Sequence, residues 1–149
     1  MLFVLLVNLL LSATPTRTMD VDPSKYTNCG GSGHIEKITI EPCDTWPCEL
    51  ALGSKVRIHF IGSFSRDSNS VKVKPSAIIN RLNISLPGID AEMCGKHVKC
   101  PVKANELNDA EVEVPVFKMY PIGPAEVAFL VHCEKDLQFC IRAPVVVKG

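Results

Sequence analysis

Seven cysteines and four histidines carry most of the reactive chemistry in this chain of 149 residues. Cys43 and Cys48 flank an Asp-Thr-Trp-Pro loop, Cys94 and Cys100 flank a second loop, Cys29 precedes the first run of alternating apolar residues, and Cys140 lies in the last. Such residues serve zinc coordination, nucleophilic catalysis or disulfide stapling. A zinc site needs thiolates grouped in CxxC-like knuckles, and the chain has none. A Cys–His catalytic pair needs side chains that face each other. His132 and Cys133 are neighbours in an extended run and point to opposite faces. Cys133 therefore reads as a free thiol packed as a small hydrophobe. His34, His59, His97 and His132 sit on separate segments, and the GxSxG, HExxH and glycine-loop patterns are missing. No catalytic residue, metal or cofactor is expected. Stapling remains: six cysteines allow about fifteen pairings, which spacing alone does not resolve. Loop geometry favours two local bridges and one long one, worth about 2 kcal/mol each and ~4.7 kcal/mol on the chain-entropy model.

Stapling requires an oxidising compartment, and the chain start supplies the route. Leu2 to Leu11 is apolar apart from Asn8 and is followed by Ser12 and Ala13, the layout of a secretory signal peptide with cleavage between Ala13 and Thr18. A membrane span needs about 20 apolar residues, roughly twice this run, so no stable span is expected. Residues 19–149 are then a single secreted domain, with an endosomal or lysosomal lumen as a further destination. Sixteen basic and sixteen acidic residues cancel and are scattered. Such a surface has no field that would gather nucleic acid or anionic membrane.

The elements that must hold these cysteines are strands. Ile35 to Ile40 carries Ile38 and Ile40 on one face; Val56, Ile58 and Phe60 alternate with Arg57 and His59. Val71 and Val73 alternate with lysines, Leu82, Ile84 and Leu86 with Asn83 and Ser85, and Ala110, Val112 and Val114 with glutamates. The runs Val127 to Val131 and Phe139 to Val147 are more continuously apolar. Outside the leader no helical period lasts three turns, and prolines stand at strand ends. The chain is all-β, two sheets packed face to face. The inner faces offer aliphatic walls with few aromatics, a composition that serves equally a core whose side chains pack against one another and a sandwich that holds a hydrocarbon guest, whose polar end group would then sit at a mouth near Tyr120 or backbone groups. Trp46 is expected to pack over the bridge of its own loop. Asn83-Ile84-Ser85 is a glycosylation sequon on the face opposite Leu82 and Ile84.

Cys29 followed by GGSGHIEKITIEPCDTWPCEL, then LNISLPGIDAEMC, Lys99-Cys100-Pro101, VPVFKMYP at 114–121 and LQFC at 137–140, resembles the ML lipid-recognition family of Niemann-Pick C type 2 proteins and group 2 mite allergens. The resemblance spans nearly the whole mature chain. It implies an immunoglobulin-like β-sandwich with an apolar cavity between the sheets and bridges Cys29–Cys140, Cys43–Cys48 and Cys94–Cys100. It also places Leu86, Val116 and Tyr120 at positions that contact sterol in sterol-binding relatives. Leucine at 86 replaces an aromatic there, which leaves fatty acids and other chain lipids beside sterols. With the strand pattern, the expected lipid-contacting set is Val56, Ile58, Phe60, Leu82, Ile84, Leu86, Val112, Val114, Val116, Tyr120, Phe129 and Val131.

Two functions of different class follow. One is a carrier that buries a lipid reversibly and delivers it to an acceptor, without covalent chemistry. The other is a lipid-presenting recognition or adhesion module acting through a receptor protein, for which exposed apolar residues near Trp46 or Met119-Tyr120 would be the mark.

Overall fold

The computed structural model describes residues 17–149. The apolar run at 2–11 and most of the expected cleavage window lie outside the described residues. The strands are β1 (Met19–Asp20), β2 (Thr27–Gly30), β3 (His34–Glu41), β4 (Cys48–Ala51), β5 (Lys55–Ser63), β6 (Lys72–Ile79), β7 (Leu82–Ser85), β8 (Leu107–Pro115), β9 (Gly123–Cys133) and β10 (Asp136–Lys148), with one turn of 3-10 helix at Pro23–Lys25. One sheet runs β1-β3-β5-β8; the other runs β2-β10-β9-β6-β7, with β4 also beside β10. All pairings are antiparallel except β4 with β10.

Register turns the alternating sequence into apolar rows. In the first sheet Ile38 stands opposite Phe60 and Phe60 opposite Ala110; Ile40, Ile58 and Val112 form the next row, and Val56 pairs with Val114. The residues between them face outward as charged pairs. Lys55 meets Glu113 at 3.0 Å, Arg57 meets Glu111 at 2.8 Å, and His59 meets Asp109. Each pair, being exposed, contributes at most about 1 kcal/mol, but together they fix which face turns inward. In the second sheet Phe139, Ile141, Ala143 and Val145 of β10 lie opposite Val131, Phe129, Val127 and Ala125 of β9.

The three cysteine pairs are Cys29–Cys140, Cys43–Cys48 and Cys94–Cys100, with Cα–Cα separations of 4.9, 5.6 and 5.3 Å. The first clips β2 to β10. The second closes the corner where the chain leaves β3 for β4, and the third closes a turn between β7 and β8. Cys133 is free and fully buried.

The core is not uniform. At one end Phe64, Val71, Val73, Met93, Val98, Val102, Ala110, Cys133 and Phe139 pack together, and the Phe139 ring sits edge-on to Phe60 and Phe64 at 4.7 and 5.1 Å. Gly33 lets the β2–β3 turn close over this cluster, since a Cβ there would lie 2.5 Å from the Phe139 ring. Gln138, fully buried, accepts from the Ser65 amide at 2.8 Å and donates to Ser32 Oγ at 3.3 Å, so its polar atoms are satisfied. At the other end Val56, Val116 and Val147 form a smaller cluster with Leu50, Leu52 and Tyr120 around it.

Candidate functional site

Between the two clusters the sheets stand apart. The space between them has about 130 Å³ open to the centres of water-sized spheres, against the 10–15 Å³ or so that one water requires on that measure. Its walls are the inner rows: Ile38 and Ile40 of β3, Val56, Ile58 and Phe60 of β5, Ala110, Val112 and Val114 of β8, facing Val127, Phe129 and Val131 of β9 and Phe139, Ile141, Ala143 and Val145 of β10. Several of these side chains, Ile58, Val112 and Phe129 among them, are only half-buried although they point inward. Facing an open space accounts for that. No lining residue is charged, and apart from the thiol-derived Cys48, only Tyr26, Trp46 and Asn108 bring polar atoms. An apolar body is accepted here and an isolated charge is rejected.

The expected contact set divides. Val56, Ile58, Phe60, Leu86, Val112, Val114, Phe129 and Val131 line the cavity. Leu82, Ile84, Val116 and Tyr120 do not. β7 pairs only with β6 and ends the second sheet. Ile84 therefore shares a face with Ala77 yet has no opposing sheet over it, and Leu82 and Ile84 are 65% and 43% exposed. The alternation placed them on the right face of a strand that overhangs the sandwich. Val116 is buried, but in the end cluster with Tyr120 packed against it. Tyr120 sits edge-on to Phe117 at 5.7 Å, its hydroxyl is buried without a partner, and burial raises its pKa. The mouth expected beside Tyr120 is replaced there by packed side chains.

Several lining residues were not singled out as contacts from sequence. Ile38 and Ile40 carried the signal, since they alternate in a recognised strand. Ile141, Ala143 and Val145 fell in an apolar run too continuous to show which side faced in. Val21, Tyr26, Leu50, Met93 and Asn108 come from short strands and connections, which have no period to read. Trp46 was expected over its disulfide; it lines the cavity next to Cys48.

Reactive groups lie elsewhere. His34 meets Glu36 at 3.4 Å, His59 meets Asp109, and His97 Nδ1 lies 2.9 Å from the Glu111 carbonyl oxygen. Burial raises the pKa of the Cys133 thiol, more than Ser68 and Arg66 lower it. A thiol held protonated is a poor nucleophile. Asn83 of the sequon is exposed on β7. Among the described residues, no group of three or more His, Cys, Asp or Glu is placed to hold a metal ion, and no helix is long and apolar enough to cross a membrane.

The profile of the ML domain family that includes the group 2 mite allergens matches residues 23–147. The mite group 2 allergen Pso o 2 of Psoroptes ovis is 28% identical over 117 residues, 78% of this chain and 80% of its own length. NPC intracellular cholesterol transporter 2 of Bos taurus is 25% identical over 130 residues, 86% of this chain and 87% of its own. Among solved structures, a Niemann-Pick type C2 protein from the Japanese carpenter ant superposes with a TM-score of 0.75 at 24% identity, covering 83% of this chain and 98% of that one. Chicken MD-1 complexed with lipid IVa superposes at 0.53 with 15% identity, covering 89% and 97%. With a family match that runs from the 3-10 turn at Pro23 through nearly all of β10, the chain belongs to the ML domain family.

Proposed function

We propose that this protein is a secreted lipid-binding carrier that holds a sterol, fatty acid or related lipid between its two sheets and releases it to an acceptor. The observation that carries the reading is the apolar-walled space of about 130 Å³ in the middle of the sandwich. Relatives named for intracellular cholesterol transport support it, as does the superposable chicken MD-1, whose structure is a complex with lipid IVa. Release of apolar surface from water drives the binding: a guest that buries ten methylenes gains on the order of 8 kcal/mol before ordering costs. Disulfides and the apolar leader support export, to the outside or to an endosomal or lysosomal lumen.

Organic extraction of the protein purified from its secreting cells, followed by mass spectrometry, tests this. A lipid near one mole per mole of protein is the expected result. A protein that yields none, and that binds neither a fluorescent fatty acid nor a sterol probe, overturns the proposal.

A second reading has one observation in its favour. Met119 and Ile122, in the β8–β9 connection, are 76% and 67% exposed, as expected of a module that presents its lipid to a protein partner. On that reading Met119→Asp combined with Ile122→Asp leaves probe binding intact and removes whatever protein co-purifies with the native material. On the carrier reading no stoichiometric protein co-purifies.

A further inference from the structure

A strand that ends a sheet leaves backbone groups unpaired and invites a second chain to add to it, so folded proteins blunt such strands. Among the described residues every edge strand but one is blunted by its own amino acids. β1 is two residues long and ends in Asp20. β8 carries Asp109, Glu111 and Glu113 on its outer face, and the Glu111 carbonyl oxygen accepts from His97 Nδ1 at 2.9 Å. β2 is bulged against β10 between Cys140 and Ile141 and clipped to it by the Cys29–Cys140 bridge. β4 carries Glu49, whose carboxylate meets Lys148 at 3.3 Å. β7 differs: Leu82, Asn83, Ile84 and Ser85 are uncharged, all are exposed, and the strand pairs with β6 alone.

The hairpin that holds β7 is tight. Asn80 and Arg81 take φ of 50° and 66°, the left-handed pair with which a two-residue turn matches the twist of its strands. Register then decides which groups of β7 are free. Leu86 N donates to the Pro75 oxygen at 3.1 Å, and bonded pairs recur at every second residue of an antiparallel ladder. Ile84 with Ala77 and Leu82 with Ile79 are therefore bonded pairs. Asn83 and Ser85 stand opposite Ile78 and Ser76 in the pairs between, so their own N–H and C=O groups point away from β6 to the open edge. The same edge of a second copy is complementary to it. With Asn83 opposite Ser85 of that copy, and the converse, the free groups of both strands pair and the two exposed Ile84 side chains meet on one face.

Asn83 and Ser85 are also the two ends of the Asn-Ile-Ser acceptor sequence, and their side chains project from the face opposite Leu82 and Ile84. We propose that Asn83 carries an N-linked glycan and that this sugar blocks the open edge of β7, keeping the exported protein from pairing with its own copies. The inference rests on the export part of the proposed function and not on the lipid. In the transfer Asn83 Nδ2 attacks C1 of an oligosaccharide carried on a polyisoprenyl diphosphate. The N–C1 bond forms, the C1–O bond to the diphosphate breaks, and the amide gives up one proton. The bulk and hydration of the glycan then do at β7 what charge does at β8 and β4. The opposite face, which continues to the cavity-lining Leu86, stays uncovered.

Expression of the full chain in a secreting eukaryotic cell tests it. Peptide N-glycosidase F lowers the mass of the secreted wild-type protein and converts Asn83 to aspartate, read by peptide mass spectrometry. In gel filtration with light scattering the glycoprotein is a monomer throughout. Secreted Asn83→Gln and Ser85→Ala proteins rise toward twice the monomer mass as concentration climbs to about 0.5 mM, the range of a small transient contact. Adding Ile84→Lys to Asn83→Gln returns the monomer, because like charges then face each other at the centre of the pair. If neither sequon variant folds, wild-type chain made in a bacterial periplasm, which oxidises cysteines and adds no such glycan, shows the same rise. Secreted protein with an unmodified Asn83, or glycan-free protein that stays monomeric through that range, overturns the inference and leaves the carrier proposal standing. Protein that is never exported overturns the export on which both rest.

Discussion

Phe139 and Phe129 lie on adjacent strands of one sheet and both point inward, yet they occupy different kinds of interior. Phe139 is 1% exposed, wedged edge-on between Phe60 and Phe64 and backed by Val71, Val102 and Cys133. Phe129, opposite Ile141, is half-buried and borders the open space. Both rings line the cavity, but one is wedged between other rings where the cavity ends and the other stands at its middle. One end of the sandwich is filled to hold the sheets together, and the middle is left unfilled to admit something else.

Truncation should expose that difference most sharply. Phe139→Ala removes a ring wedged between Phe60 and Phe64 where the cavity ends, and we expect a loss of about 3–5 kcal/mol in denaturant unfolding. Phe129→Ala removes a ring with one face already unopposed, so fewer dispersion contacts vanish and the loss is roughly half as large. Equal losses would mean that the middle is packed as tightly as the end.

Enlargement tests the same contrast in reverse. Val112→Phe adds a ring where space exists, so stability should change by less than about 1 kcal/mol, while a bound fatty-acid probe weakens by tenfold or more, about 1.4 kcal/mol. Val71→Phe adds the same volume where Val71 is fully buried, and overpacking there costs about 1–3 kcal/mol. Equilibrium unfolding and probe titration on both variants give the comparison. A Val112→Phe protein that binds as well as wild type would remove the cavity from the argument.

The filled end and the hollow middle were unequally legible in the sequence. Alternation from Val56 to Phe60 and from Ala110 to Val114 placed those side chains on one face, and the register joined them into the rows that the pattern implied. Alternation states which face a residue shares, not what stands opposite it. That is why Leu82 and Ile84, on an edge strand that overhangs the sandwich, were expected in the cavity and are instead exposed. Tyr120 and Val116 came from family resemblance alone, and the connection bearing them packs against Val56 and Val147 here. β1 and β2 carried no signal, being two and four residues long without a buried stripe. Their places are set by β3 and β10, the strands they join. Whether an inner face meets another side chain or empty space depends on sheet separation, which is a property of both sheets at once.

The smallest expected effect comes from the thiol at the filled end. Burial raises the Cys133 pKa above its ordinary 9.0, so the folded protein keeps this proton to higher pH than the unfolded chain does. As pH climbs past that ordinary value, the unfolded state binds fewer protons than the native state, and stability falls with rising pH. Below it both states are protonated and the thiol makes no pH-dependent contribution. Cys133→Ala lacks this fall: the difference in unfolding free energy between wild type and variant should be flat below about pH 8.5 and shift in the variant's favour above it. Iodoacetamide gives a second reading of the same site, since a thiol at 0% exposure should be alkylated only as fast as the filled end opens. A difference that stays flat through pH 10 or so, or rapid alkylation of the native protein, would show that this end is as open to water as the middle.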